Sequence, residues 1–153
     1  LLIKEHPLDC SFMSWRSHIL AQAKKAGIED RILHIAGGEL DGLAANAVGM
    51  VTINSTSATL ALAAGIPTMA LGKAIYNIPQ ITHQGRLDEF WTRPQAPDPG
   101  VYEAFRRVLH DRCLVYGGLA SETATSVLVD SVVERLAGDQ IAHWEPTLIS
   151  AYG

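Results

Sequence analysis

The stretch VTINSTSATLALAAGIP, Val51 to Pro67, decides how this chain is read. It starts as an apolar strand, turns through Asn54, Ser55, Thr56 and Ser57, and continues as a helix of small apolar residues. Gly65 ends that helix and Pro67 keeps it from resuming. A strand fed straight into a helix is the building unit of a parallel sheet, because parallel neighbours need a crossover. The polar tip has two readings. Ser, Thr and Asn are preferred helix caps, but one cap needs one residue. Three hydroxyls and an amide exceed that need, and a helix start with rotatable hydroxyl donors suits an anion.

The same unit repeats on either side. Leu1–Glu5 is predicted as a strand running into His6-Pro7, where the proline stops regular pairing. WRSHILAQAKKAG carries Trp15, Ile19, Leu20 and Ala23 at helical spacing, with Gly27 as the stop. RILHIAG is a second strand, and GELDGLAANA a short helix with Leu40, Leu43 and Ala44 on one side. GMVTINS is the third strand, a helix follows from about Thr56 to Ala64, and TMALG is a fourth strand closing at Gly72. This β-α-β-α-β-α-β order with short connections predicts an α/β fold, a Rossmann-like parallel sheet with right-handed crossovers. The strands are nearly unbroken apolar runs, as expected when helices cover both faces of the sheet. Past Gly72 a polar and aromatic loop leads to predicted helices at Pro99–His110 and Ser121–Ala137. We therefore expect one domain over 1–153, with a βα core to about 92 and a helical extension over 93–153. The chain opens in mid-strand without an initiator Met or a signal-like charged start, so we read it as the C-terminal part of a longer polypeptide.

Composition narrows the function classes. With 48% apolar and 18% charged residues among 153, the chain is globular in character, and no apolar run approaches the roughly 20 residues of a membrane span. A net charge of -4 and no basic stripe argue against a general nucleic-acid binder. Cys10 and Cys113 lack the spacing of a zinc or redox motif and are expected to be free, buried thiols in a reducing cytosol. The six histidines show no paired spacing suited to a metal, and neither a P-loop nor a G-x-G-x-x-G motif is present.

In doubly wound sheets ligands bind beyond the carboxyl ends of the strands. Here those ends carry His6-Pro7, Gly37-Gly38-Glu39, Asn54-Ser55-Thr56 and Gly72-Lys73. His6 can donate a hydrogen bond to an anionic leaving group, or can simply bond a nearby carbonyl. Lys73 offers a fixed positive charge or a solvated side chain. Tyr76 and Asn77 lie in the loop beyond and can touch a base or sugar, or pack. THQGRLDEFW adds His83, Gln84, Gly85 and Arg86, while Leu87, Phe90 and Trp91 suit a core or an interface. Asp88 and Glu89 are adjacent on a helix, point apart, and make a weak acid/base pair.

Taken together, KEHPLD, VTINSTSATLALAAGIPTMALGKAIYNIP and ITHQGRLDEFW resemble the capsule polysaccharide biosynthesis and export family of bacteria, the KpsS/KpsC-like proteins. The likeness runs in order from about Leu1 to Trp91. It implies a GT-B glycosyltransferase fold, of which this chain is the C-terminal half. It further implies retaining transfer of 3-deoxy-D-manno-oct-2-ulosonic acid (Kdo) from CMP-Kdo to a lipid-linked saccharide acceptor. By the same resemblance His6 and Pro7 match the motif that grips the CMP phosphate, and Asn54, Ser55 and Thr56 match the hydroxyl motif. Lys73 would then meet phosphate or the Kdo carboxylate, with Tyr76 and Gln84 at the cleft. A donor with one phosphate can be met by these groups without a metal or other cofactor. The acidic catalytic residue is expected from the N-terminal half, so Glu39, Asp88 and Glu89 receive no such role. Partners implied are the CMP-sugar, the lipid-linked acceptor and the capsule export machinery. The implied location is the cytoplasm, peripheral to the inner membrane. Where relatives commonly carry Gly, this chain has Ala58, next to the hydroxyl cluster. Two other readings stay open: a non-catalytic protein that recruits lipid-linked polysaccharide for export, and another GT-B enzyme using a UDP-sugar.

Overall fold

Each of the four strands is only three residues long. The computed structural model describes residues 1–6 and 12–137. It contains β1 (Leu2–Lys4), α1 (Trp15–Ala26), a three-ten turn at Glu29–Arg31, β2 (Leu33–Ile35), α2 (Leu40–Ala45), β3 (Met50–Thr52), α3 (Ala58–Ala63), β4 (Thr68–Ala70), α4 (Leu87–Phe90), α5 (Pro99–Arg112) and α6 (Glu122–Ala137). The expected alternation of strand and helix is present, with ends shifted by up to three residues. α1 stops where its sequence says it should. Gly27 takes a left-handed backbone (φ 64°), and the Ile28 N–H reaches back to the Ala23 carbonyl at 3.0 Å.

The strands pair in parallel, as expected, but as two separate pairs rather than one four-stranded sheet. β1 pairs with β2 and β3 with β4. In the β1–β2 register Leu2 faces Leu33, and both are exposed, so among the described residues nothing covers that side of the pair. The predicted covering of both faces does not extend there.

The chain divides into two compact units, Leu1–Tyr102 and Glu103–Gly153. In the first, the core gathers on β3–β4. Thr68, Met69 and Ala70 are buried together with Ala58, Ala61 and Leu62 of α3 and with Tyr76, Ile81 and Phe90 from the following loop and α4. The loop is braced by a turn over Ile78–Ile81, closed by the Ile81 N–H on the Ile78 carbonyl. Pro79 precedes Gln80, which holds φ 70°, a left-handed conformation that such turns usually give to Gly or Asn. The start of α5 is set by Asp98, whose carboxylate accepts the Val101 N–H at 2.9 Å, with Pro99 at the first helical position. Tyr102 then donates its hydroxyl to the Thr59 carbonyl of α3 at 3.0 Å. In the second unit α6 follows Gly117–Gly118, and the Gly118 N–H bonds the Ala124 carbonyl. Cys113, just past α5, is free and exposed rather than buried, because it sits in the turn that ends the helix. Cys10 lies outside the described residues.

Candidate functional site

The site is built where β3 and β4 end. Parallel pairing in register Thr52 to Ala70 is extended by the Gly72 N–H on the Ile53 carbonyl at 2.8 Å. Gly72 is required for that approach. A Cβ there would lie 2.9 Å from Ile53 Cγ2 and 3.1 Å from its carbonyl oxygen. Asn54 and Lys73, each one residue past this bonded pair, are thereby delivered to the same end of the same strand pair.

The turn from Asn54 to Ser57 settles part of the choice between a cap and an anion cradle. No side chain caps α3 in the usual way. Instead the turn satisfies its own backbone. The Ser55 N–H bonds Thr52 Oγ1, the Ser57 N–H bonds Ser55 Oγ, and the two serine hydroxyls pair at 2.7 Å. The Ala58, Thr59 and Leu60 N–H groups close three-ten turns on the carbonyls of Ser55, Thr56 and Ser57. The amides that open the six-residue α3 are therefore engaged within the turn itself, which leaves the side chains as its outward donors. Donors remain on side chains. Asn54, Thr56 and Lys73 are exposed, and Lys73 has no hydrogen-bond or ion-pair partner among the described residues. What this end can do chemically is present an ammonium, an amide and a hydroxyl to an oxyanion.

Tyr76 makes the turn rigid. Its ring is buried and its hydroxyl donates to the Ser55 carbonyl at 2.6 Å. Burial pushes the phenol pKa up, so it stays protonated and remains a donor across the physiological range. Of the two readings open from sequence, contact with a base or sugar and packing, the structure shows the second, with Tyr76 underneath the turn. Tyr76→Phe is expected to lower the stability of the intact protein by about 0.5–1.5 kcal/mol, the net worth of a hydrogen bond. Urea denaturation is the check, and a variant as stable as the parent would contradict this bracing role.

Gln84 also braces. Its amide nitrogen donates to the Asn77 side chain (3.1 Å) and to Thr82 Oγ1 (2.8 Å), while Thr82 Oγ1 bonds Asn77 Oδ1. His6 is exposed two residues past β1, on the other strand pair, and Pro7 lies outside the described residues. The structure thus joins Asn54, Ser55, Thr56, Lys73 and Tyr76 about one strand end, with Gln84 holding the loop and His6 on the other strand pair. Ala58 is fully buried at the first turn of α3, so its methyl points into the core rather than toward the exposed turn.

Two features were missed from sequence. Thr52, read as a plain strand residue, orders the turn through its hydroxyl. His83 is buried, with no hydrogen-bond partner for either ring nitrogen among the described residues, and is packed edge-on to Phe90 at 5.5 Å. Its backbone N–H meets the Thr68 carbonyl, at the opposite end of β4 from Lys73. The neighbouring acids are structural: Glu89 accepts the Arg86 N–H at the start of α4, and the Arg86 guanidinium holds the Asp88 carboxyl below its ordinary pKa. No three His, Cys, Asp or Glu side chains gather as a metal set among the described residues.

Residues 1–118 match the family described as capsule polysaccharide biosynthesis protein. The chain belongs to that family. Among its curated relatives is the capsule polysaccharide modification protein LipB of Neisseria meningitidis, 36% identical over 107 residues, which are 69% of this chain and 26% of LipB. The capsule polysaccharide export protein KpsS of Escherichia coli is 36% identical over 109 residues, 71% of this chain and 28% of KpsS. The chain thus spans roughly a quarter of the length of these relatives. No solved structure matches it. The matched stretch of this capsule family member contains the whole β3–α3–β4 site, and no described helix is long and apolar enough to cross a membrane.

Proposed function

We propose that this chain is the donor-binding half of a GT-B glycosyltransferase of capsule polysaccharide biosynthesis, moving Kdo from CMP-Kdo to a lipid-linked acceptor with retention of configuration. The observation that carries the reading is the set of free donors of Asn54, Thr56 and Lys73 at one strand end, on a turn held from below by Tyr76. A leaving CMP carries one phosphate, and a lysine with a hydroxyl and an amide is a matching count of donors. His6 and Pro7 would complete the grip from the first strand, and no metal or other cofactor enters this reading. The acid or base of the reaction would come from elsewhere in the full-length protein, which works at the cytoplasmic face of the inner membrane beside the export machinery.

Calorimetry of the full-length protein with CMP tests it. Thr56→Ala with Lys73→Ala is expected to weaken CMP binding about tenfold or more, since each charge-assisted bond contributes on the order of 1.5 kcal/mol. Unchanged affinity would remove this strand end from the donor site. Equal binding of CMP and UDP would favour a UDP-sugar enzyme instead. The name of KpsS, an export protein, supports a second reading, a non-catalytic recruiter of lipid-linked polysaccharide. Kdo transfer by the purified full-length protein would exclude that recruiter.

A further inference from the structure

A second polar concavity lies wholly within the unit Glu103–Gly153, away from every residue assigned above. It has a volume of about 490 Å³ and is lined by Glu103, Arg106, Arg107, His110 and Asp111 of α5, by Tyr116, and by Arg135 of α6. Positions 103, 107 and 110 recur at helical spacing, so α5 turns one charged face into the groove.

The charges there do not cancel. Glu103 is engaged by Arg106 at 3.0 Å, and Asp111 by Arg112 at 2.9 Å. Arg107 and Arg135 are left without a carboxylate among the described residues, in a chain whose net charge is -4. Arg135 is held in place by the helix it crosses. One of its terminal nitrogens donates to the carbonyls of His110 and Asp111, which the end of α5 leaves without helical partners. Its remaining N–H groups have no hydrogen-bond partner among the described residues. Two of the lining rings, His110 and Tyr116, stack with centroids 5.9 Å apart and planes 21° apart, and both are exposed.

We propose that this groove binds a phosphate group, as a monoester or a diester, between the guanidinium groups of Arg107 and Arg135. Guanidinium forks match the several acceptor oxygens of phosphate, and two of them can share one group. The Tyr116–His110 face receives the carbon skeleton that carries the phosphate. This site is independent of the donor reading above and stands whether or not CMP binds at Lys73.

The test removes the other cluster first. The full-length protein carrying Thr56→Ala and Lys73→Ala is titrated with inorganic pyrophosphate by calorimetry, then compared with the same protein also carrying Arg107→Gln. Arg107 is exposed and has no hydrogen-bond or ion-pair partner among the described residues, so the melting temperature is expected to hold while affinity drops about tenfold. Arg135→Lys keeps the charge at α5 but loses the fork, and is expected to weaken binding several-fold. Equal affinity with and without Arg107, or no binding in the starting protein, overturns the proposal. Co-sedimentation then distinguishes the source. Capture by phosphatidylglycerol but not phosphatidylcholine vesicles, lost in Arg107→Gln, supports the groove as a lipid-headgroup site. Pyrophosphate binding without vesicle capture supports it as a site for a soluble phosphate.

Discussion

Phe90→Ala is expected to lower the unfolding free energy of the unit Leu1–Tyr102 by about 3–5 kcal/mol, the usual range for emptying an aromatic core site. Phe90 is 2% exposed, and its ring abuts His83, Trp91 and the backbone at Gly49 just before β3. A Cβ on Gly49 would lie only 3.0 Å from the tip of that ring, so the contact is tight on both sides. With Ala at position 90 the loop carrying His83 loses its backing, and β3 loses the wedge at its entry. Domains of this size are stable by about 5–15 kcal/mol in all, so the variant sits close to its unfolding threshold. Urea denaturation reads the loss directly. Phe90→Leu serves as the comparison and should retain much of the stability, and a Phe90→Ala midpoint equal to that of the parent would show that the ring is not core.

The second large effect belongs to the other unit. Gly117 has φ 116°, and a Cβ placed there would lie within 2.6 Å of Leu128 in α6. Gly117→Ala therefore combines an unfavourable left-handed conformation, about 1–2 kcal/mol, with an overlap against helix backbone, about 1–3 kcal/mol. The expected loss is roughly 2–5 kcal/mol, seen as faster amide hydrogen exchange along Glu122–Ala137. Gly118→Ala is the built-in control. Its nearest neighbour would be the Ala124 methyl at 3.9 Å, an ordinary contact, so exchange should be nearly unchanged. Similar exchange in both variants would sink the idea that Gly117 is a point of close packing.

The succession of strands and helices was legible in the sequence because its signals are local. Hydrophobic period marks each element, and Gly27, Gly65 and Pro67 mark the ends. The family was legible too, through motifs spread in order along the first 91 residues. What could not be read was the pairing. Which three-residue strands lie side by side depends on contacts distant in sequence, and the outcome was two pairs in place of one sheet. The chemistry of the Asn54–Ser57 turn was half legible. Residue types pointed to surplus donors, but only the fold shows the serines bonded to each other and the amides spent on three-ten turns. The role of Tyr76 was hidden for the same reason, since its partner is 21 residues away.

The hydrogen bond from His83 to Thr68 also determines how the β3–β4 pair can be enlarged. Successive carbonyls of a strand point to opposite edges, and that of Pro67, just before β4, accepts the Met50 N–H of β3. The Thr68 carbonyl looks the other way and is already taken by the His83 N–H, with Ile81, Thr82 and His83 buried alongside. A strand from any other chain or segment would have to evict this buried loop to dock on β4. On its β4 side the pair is thus sealed against edge-to-edge association by a loop of its own chain.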